Sequence, residues 1–536
     1  MGYFKDKKRK RELQSSIEIA DLERQLAQKT AITEAYNIQH DNLLKIKNSG
    51  YSNGGASHSE SWAKRYNSES LSPKSDIEKN RKTLRERSRD LAMNAPLATA
   101  AVNTTRTNVI GAGLIPKPKI DYEFLGITKD EAQSIQNKIK REWSLWAESS
   151  MSDACDLNNF YEIQQIAVLD WLNNGEAFAV INYDKPYPNM PYQLRLRLIS
   201  ADRVSSPNSY NGEYSGYDTT LENGNKIMNG IEISENGKVL AYYISSSFPG
   251  EASIQHKWTR IEKRGKRTGN PNILHVMNAE RSEQYRGVPM LAPVIKTLKQ
   301  ITRYSEAEIM AAVVNSILAI FVTTEGGEEI ESGYSGEDAW AMPKVDKYKE
   351  IELGPGTVTY LNKGEKIEAV ESKHPSGNFD AFINAFSNQV GAALEISPEV
   401  LLKKFTNNFS ASKGALNETW RSIKMRRKWF IDDFCQVVYE LFICEAVSKG
   451  RINAPGFFND PLIRKAYTNA TWNGPAQGCL NPVQEVNAAV SKIEHGLSTH
   501  EDECASINGS DFDENIRTLI NENEKLKELG GNDGKD

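Results

Sequence analysis

Residues 375 to 449 hold two long helical patterns joined by a short polar break. In the first, Phe379, Phe382, Ile383, Phe386, Val390 and Leu394 recur at steps of three and four while Asn384, Asn388 and Gln389 face elsewhere, which predicts an amphipathic helix. It should stop at Ile396-Ser397-Pro398, because a proline ring disfavours helical geometry in the preceding residue and lacks the N–H for the turn behind it. The following run, Lys403 to Lys413, mixes basic, aromatic, Asn and Ser side chains that water tolerates in a loop. A second helix should start near Ser410 or Ser412 as cap and run through Leu416, Trp420, Ile423, Phe430, Phe434, Val437, Leu441 and Val447 to a stop at Gly450. On composition alone this is a packed helical hairpin with a solvated tip.

The chain has 536 residues, enough for two to four domains with buried cores. Hydrophobic content of 39% and charged content of 26% are those of a folding chain. Apolar stretches such as 309–322 contain Asn315 and Ser316 and fall short of the ~20 residues a membrane span needs, so no transmembrane helix is expected. The basic N-terminus precedes no apolar block, so no secretory signal is expected either. Five widely spaced cysteines with no Cys-x-x-Cys point to a reduced compartment.

Formal net charge is −5, unevenly spread. Residues 1–11 carry six basic and one acidic side chain (+5), and residues 500–536 carry four basic and eleven acidic (−7), which predicts solvated tails able to touch partners. A chain that grips nucleic acid through many phosphates is normally basic throughout, and this one is not.

In chain order, residues 1–48 predict a helix with Leu13, Ile17, Ala20, Arg24 and Ala27 on one stripe, followed by a Ser, Asn and Gly rich connection over 49–75. Helical character returns over 77–108 and 130–148. Between 160 and 280 the period becomes alternating: 177–181 and 194–199 read as strands, the second with Arg195 and Arg197 outward, and 231–233 and 239–244 flank an Asn236-Gly237 hairpin turn. Residues 257–267 hold six cations against Glu262, a solvated loop at least as readily as a phosphate contact. A helix is expected over 290–322, roughly 45 to 50 Å long at ~1.5 Å per residue, with small Ala and Ser residues that admit a neighbouring helix. Residues 356–361 and 366–370 then predict a β-hairpin. Helices should resume over 483–495 and 512–529, and the chain end from Gly530 should lack fixed structure.

Enzymatic signatures are absent. There is no phosphate-binding Gly-Lys-Ser/Thr loop, no Gly-x-Ser-x-Gly elbow and no His-Glu-x-x-His. His495 and His500 beside Glu494 and Glu501 read as surface residues, and Asp432-Asp433 project to different azimuths of a helix, a poor metal pair. A structural or binding role is the better expectation.

Several runs resemble the lambda-type family of tailed-bacteriophage portal proteins. They are 87–96 leading to Asn108-Val109-Ile110-Gly111; Asn174-Gly175-Glu176-Ala177-Phe178; Gln284-Tyr285-Arg286-Gly287-Val288-Pro289 with 290–293; Asn408 to Lys413 followed by Glu418-Thr419-Trp420-Arg421; and Ala470-Thr471-Trp472-Asn473-Gly474-Pro475 with Asn481-Pro482. They span roughly 77–500, and their order makes the resemblance specific. The family's loop reads more like Tyr-Ser-Ser-x-Arg, whereas here Phe409 lacks the hydroxyl and Lys413 replaces a guanidinium.

The resemblance implies an α+β portal fold: 1–76 an N-terminal helical and flexible segment, 77–289 an α/β wing, 290–322 and 375–397 two stem helices, 323–374 a small β-containing clip, 398–412 the tunnel loop, 413–453 a long wing helix, and 454–536 a mainly helical crown with an acidic tail. It implies a homo-oligomeric, dodecameric ring at the capsid vertex of the virion, assembled in the host cytoplasm, without cofactor, catalytic residue or metal. Partners would be double-stranded DNA read without sequence specificity, the terminase large subunit, major capsid and scaffold proteins, and a head-completion adaptor, with no membrane. Lys403, Lys404, Asn407, Asn408 and Lys413 would face DNA. The alternatives are a magnesium-dependent DNA-processing enzyme using Asp432 or Asp433, and a scaffold with charged tails and no channel.

Overall fold

The computed structural model describes residues 2–46, 61, 63–66, 68–207, 219–249, 251, 257–316, 320–324, 365–369, 379–405, 408–479 and 481–530. The chain divides into two units, Met1–Ser72 and Pro73–Asp536. The first contains α1 (Gly2–Ile46), the helix expected there, whose side chains are exposed throughout 6–37.

In the second unit, capping chemistry fixes the helix starts. After α2 (Pro73–Asp76), α3 (Arg81–Asn94) and α4 (Pro96–Val109) are separated at Ala95, which is extended because Pro96 follows it, so the expected 77–108 helix is broken in two. Strand β1 (Ile115–Pro118) and the single-turn α5 (Tyr122–Leu125) come next. Thr128 and Glu131 form a reciprocal capping box at α6 (Lys129–Ala147), and Asn159 with Glu162 does the same at α7 (Phe160–Asn174).

Strands β2 (Glu176–Tyr183), β3 (Leu194–Ile199) and β9 (Ile273–Met277) form an antiparallel sheet in the order β3-β2-β9. Strands β4 (Thr219–Thr220), β5 (Lys226–Met228), β6 (Ile231–Ile233), β7 (Val239–Ser245) and β8 (Trp258–Glu262) form a second sheet in chain order, with the expected turn at Gly237 between β6 and β7. Of the two β3 arginines expected outward, Arg197 is exposed but Arg195 is buried. Its Nη1 donates to the carbonyls of Tyr192 and Leu194 at 3.0 and 2.9 Å, which satisfies part of the guanidinium inside, while Nη2 is buried without a hydrogen-bond partner among the described residues.

Helix α8 covers Ile295–Ser316, shorter than the expected 290–322. The β-branched and aromatic run Ile320-Phe321-Val322-Thr323-Thr324 leaves the helix as strand β10 (Ile320–Thr324) and pairs antiparallel with β11 (Glu365–Ala369). The expected partner of that second strand, 356–361, lies outside the described residues. Helix α9 (Phe379–Leu394) packs on α8 through Tyr304, whose ring centroid is 5.7 Å from that of Phe379 and 4.2 Å from that of Phe382.

After α10 (Pro398–Leu402), α11 (Phe409–Phe430) runs through a π-helical turn (Ile431–Cys435) into α12 (Gln436–Ser448), and Gly450 follows at φ +67°. Then come α13 (Pro461–Thr468), β12 (Ala470–Asn473), α14 (Pro482–Glu494), α15 (His500–Ile507) and α16 (Phe512–Gly530). Strand β12 pairs antiparallel with β1, Ile115 opposite Asn473, a link between chain regions over 350 residues apart.

The main core is aromatic. Trp143 lies 5.2 Å from Trp146, Phe160 and Phe442 and 5.4 Å from Tyr439, so α6, α7 and α12 share one apolar centre. Trp146 donates its indole N–H to Leu194 O at 2.9 Å, tying that centre to β3.

A charged centre stands beside it. Glu176, at the start of β2, is fully buried; Arg286 donates to both its carboxylate oxygens at 2.7 to 3.0 Å, Arg85 to one at 2.6 Å, and His275 Nε2 lies 3.1 Å from the other. Burial alone would raise the Glu176 pKa, but Arg286, His275 and Arg85 hold it well below the usual carboxylate range. Arg85 and Arg89 also grip Asp202, at 2.7 and 2.5 Å. Backbone contact brings the same elements together: a Cβ on Gly287 would lie 1.9 Å from Gly175 O, and one on Gly175 2.3 Å from the Val288 carbonyl carbon. Neither position tolerates a side chain.

Candidate nucleic-acid-facing loop

The loop between α9 and α11 is built from its ends inward. After Leu394, Glu395 turns left-handed at φ +59°, and Ile396 N–H donates back to Gly391 O at 2.9 Å, so α9 closes four residues before Pro398, ahead of the residue the proline keeps out of a helix. Lys403 repeats this at the end of α10: it sits at φ +53°, and Lys404 N–H donates to Glu399 O at 3.0 Å. Two left-handed corners therefore aim the segment that carries Lys403, Lys404 and Phe405, all three exposed.

Helix α11 starts two residues earlier than a Ser410 cap implies and four earlier than a Ser412 cap. Asn408 is the cap, its Oδ1 accepting from Ala411 N at 2.9 Å, because an Asx side chain reaches the third N–H of the helix as well as serine does. Asn408 is thus spent on the backbone. Lys413 lies inside α11 and pairs with Glu485 of α14 at 3.1 Å, and Asn407 lies outside the described residues. Of the five residues picked from sequence, Lys403 and Lys404 stand together, Asn408 caps, and Lys413 points to α14.

Residues to which the sequence assigned no role in the loop hold it in place. Ser397 N–H donates to Thr419 Oγ1 at 2.9 Å, Ser422 Oγ to Glu395 O at 3.0 Å, and Arg426 Nη2 to Leu394 O at 3.0 Å, so one face of α11 grips the α9 corner. Between them lies a cleft of about 620 Å³ lined by Gly391, Glu395, Ser397, Thr419, Arg421 and Met425 among others. One turn on, Arg427 donates to Val109 O at 2.9 Å and to Asn108 O and Pro475 O at 2.7 Å, while its guanidinium lies 5.4 Å from the Trp420 ring centroid. Burial pushes its pKa down to about 10. The spacing of polar residues on α11 at 419, 422 and 426 is the one signal that marks a face turned toward backbone.

The acidic pair offers little chemistry. Asp432 is exposed to Lys428, which donates to both its oxygens at 2.5 Å, and burial, with Asp432 beside it, raises the pKa of Asp433. Among the described residues no group of three His, Cys, Asp or Glu is placed to hold a metal ion, and no helix is long and apolar enough to cross a membrane.

Residues 60–427 match the family described as phage portal protein, lambda family. The chain belongs to that family. Over 472 residues it is 24% identical to the portal protein of Escherichia phage N15, covering 83% of this chain and 84% of that one. It is 23% identical over 469 residues to portal protein B of Escherichia phage lambda, with the same coverage. A chain from the neck of a native gene transfer agent particle overlays with a TM-score of 0.41 at 11% identity, covering 80% of this chain and 94% of that one. This is a phage portal protein, and its fold is α+β. The portal motifs fall into place on the structure: Glu176, Arg286 and Gly287 meet in one buried centre, and Asn108, Val109, Trp420 and Pro475 meet around Arg427.

Proposed function

We propose that about twelve copies close the portal ring, and that Lys403 and Lys404, with the residues up to Asn408, form a tunnel loop touching double-stranded DNA as it is packaged and later ejected. The observation that carries this is the pair of exposed lysines on a short segment whose α9 side is braced against α11 and whose other side enters that helix at the Asn408 cap. Residues 77–289 would be the wing, α8 and α9 the stem, 323–374 the clip meeting the terminase large subunit and later the head-completion adaptor, 413–453 the long wing helix, and 454–536 the crown. Capsid and scaffold proteins would contact the outer ring.

DNA in such a channel must slide. Affinity scales steeply with the number of phosphates neutralised, and a ring repeats each lining cation in every copy, so a lysine-rich wall would hold the duplex. A net charge of −5 with only two exposed loop lysines keeps contacts few, and such backbone contacts read no sequence. The test is Lys403→Ala with Lys404→Ala in infecting particles. Rings should assemble as in the parent while packaged or retained DNA falls; failure of the rings to form would make the loop structural instead.

A further inference from the structure

Helix α16 is an arm held at its root. Asp511, just before it, pairs with Lys117 and Lys140 at 3.0 and 3.1 Å, and Arg517 Nη1 reaches Asn137 Oδ1 at 3.5 Å. Every residue from Ile516 to Lys527 is exposed. Ile516, Leu519, Asn523 and Leu526 recur at steps of three and four, so a ridge that is apolar except at Asn523 runs along the arm. A helix this short is marginal in water without a surface to pack on.

The same chain carries a groove for such a ridge. Helices α14 and α15 flank an apolar cavity of about 500 Å³ lined by Val486, Ala489, Val490, Ile493, Cys504 and Ile507 among others, with Val486 and Val490 about half exposed. His500, another lining residue, stacks on Phe512 at 5.0 Å, yet among the described residues none of α16 lines the groove.

We infer that in the ring the α16 ridge of each copy seats in the α14–α15 groove of the next. A cyclic ring joins copies head to tail, so every copy presents one face to the neighbour on one side and a different face to the neighbour on the other. Ridge and groove are two such faces, and repeating the contact around a closed ring fills every groove and leaves no arm over. The α14 wall has the spacing of the ridge: Val486, Val490 and Ile493 stand at steps of four and three, so the two rows of side chains can interdigitate. Charge complements the apolar fit. Glu494 is exposed on the lip of the groove and Lys527 follows the last leucine of the ridge, so an arm laid parallel to α14 of the next copy brings the two together. The inference rests on the ring reading, which holds neighbours close enough for a short helix to find its groove.

The native Cys504 in the groove makes the test direct. Leu519→Cys and Asn523→Cys on the ridge, and Asn521→Cys on the opposite side of α16, are each made in the full chain. The fraction whose native mass identifies it as the ring is treated with excess of a short bis-maleimide, beside the parent chain to read the native cysteines. Each ridge variant should give a ladder on a denaturing gel at twice, three times and further multiples of 60.1 kDa, because each copy is tied to the next. Adding Cys504→Ser should remove the ladder, and Asn521→Cys should stay with the parent. Adding Lys527→Glu to Leu519→Cys should weaken the ladder, and Glu494→Lys as well should restore it. Ridge variants that give no more multimer than Asn521→Cys, that stop at the dimer, or whose ladder survives Cys504→Ser overturn the contact and leave the ring reading intact. A parent preparation with no ring fraction overturns both.

Discussion

Arg286 spans both carboxylate oxygens of Glu176 at 2.7 to 3.0 Å with neither side chain exposed, and its remaining N–H groups donate to the carbonyls of Val204, Asn229 and Ala201. One guanidinium thereby joins the start of β2 to the 201–204 turn after β3 and to the turn between β5 and β6. Breaking a buried pair by removing one partner strands the other charge and costs roughly 3–5 kcal/mol. Arg286→Met should accordingly lower the thermal midpoint of the full chain by many degrees. Arg286→Lys should recover only a small part, because a point charge cannot fork across two oxygens. Equal midpoints for Lys and Arg at this position would refute that view.

Gly287 tests the backbone contact separately from the charge. Gly287→Ala forces a Cβ against Gly175 O and should leave little soluble, folded chain. Gly269→Ala, where nothing lies within 4 Å and only φ +69° opposes a side chain, should cost about 1 kcal/mol. Comparable soluble yields would show that the Gly175–Gly287 approach has slack.

Asp170 sets a pH dependence of opposite sign from Glu176. Burial raises its pKa to about 6, against the pull of Arg89 and with Asp202 adding to the rise. Because the folded pKa lies above the unfolded one, the folded state binds the extra proton between about pH 4 and 6, so stability from this group is present at low pH and lost as pH rises through 6. Asp170→Asn should stabilise the chain on the order of 1–2 kcal/mol at pH 7.5 and by little near pH 4. Glu176, held low, contributes stability present above its unfolded pKa and lost as pH falls through the folded one. Chemical denaturation of Asp170→Asn and the parent at the two pH values checks this; a pH-independent difference would contradict it.

Arg427 is predicted to couple the 470–476 run to α4. Arg427→Met keeps the stacking volume over Trp420 but leaves three carbonyls without their donor, an expected loss of about 2–4 kcal/mol. Faster amide exchange should then appear at 108–111 and 470–476 before the rest of the chain. Uniform loosening would argue that Arg427 is one contact among many.

Much of this was legible in the sequence because local rules agreed with the fold. The stop at Ile396-Ser397-Pro398, the end at Gly450 and the Asn236-Gly237 turn each follow from backbone chemistry at single positions. Where the reading erred, a nonlocal partner decided. The run 320–324 is apolar enough to continue a helix, and pairing with 365–369 makes it a strand. Arg195 alternates as an outward residue yet turns inward to nearby carbonyls. Glu176, Arg286 and Gly287 were visible as family motifs, but their common site depends on elements over 100 residues apart. The anchors Thr419, Ser422 and Arg426 bond to backbone atoms, so their helical spacing marks a polar face while the sequence leaves its partners unnamed.

The central claim is a closed portal ring around a DNA-sized channel, and native mass of the purified full chain with images of the same peak tests it most directly. Twelve copies of 60.1 kDa give about 720 kDa, with an axial hole as wide as a duplex. A compact dimer without a hole that cleaves DNA when magnesium is added would contradict it.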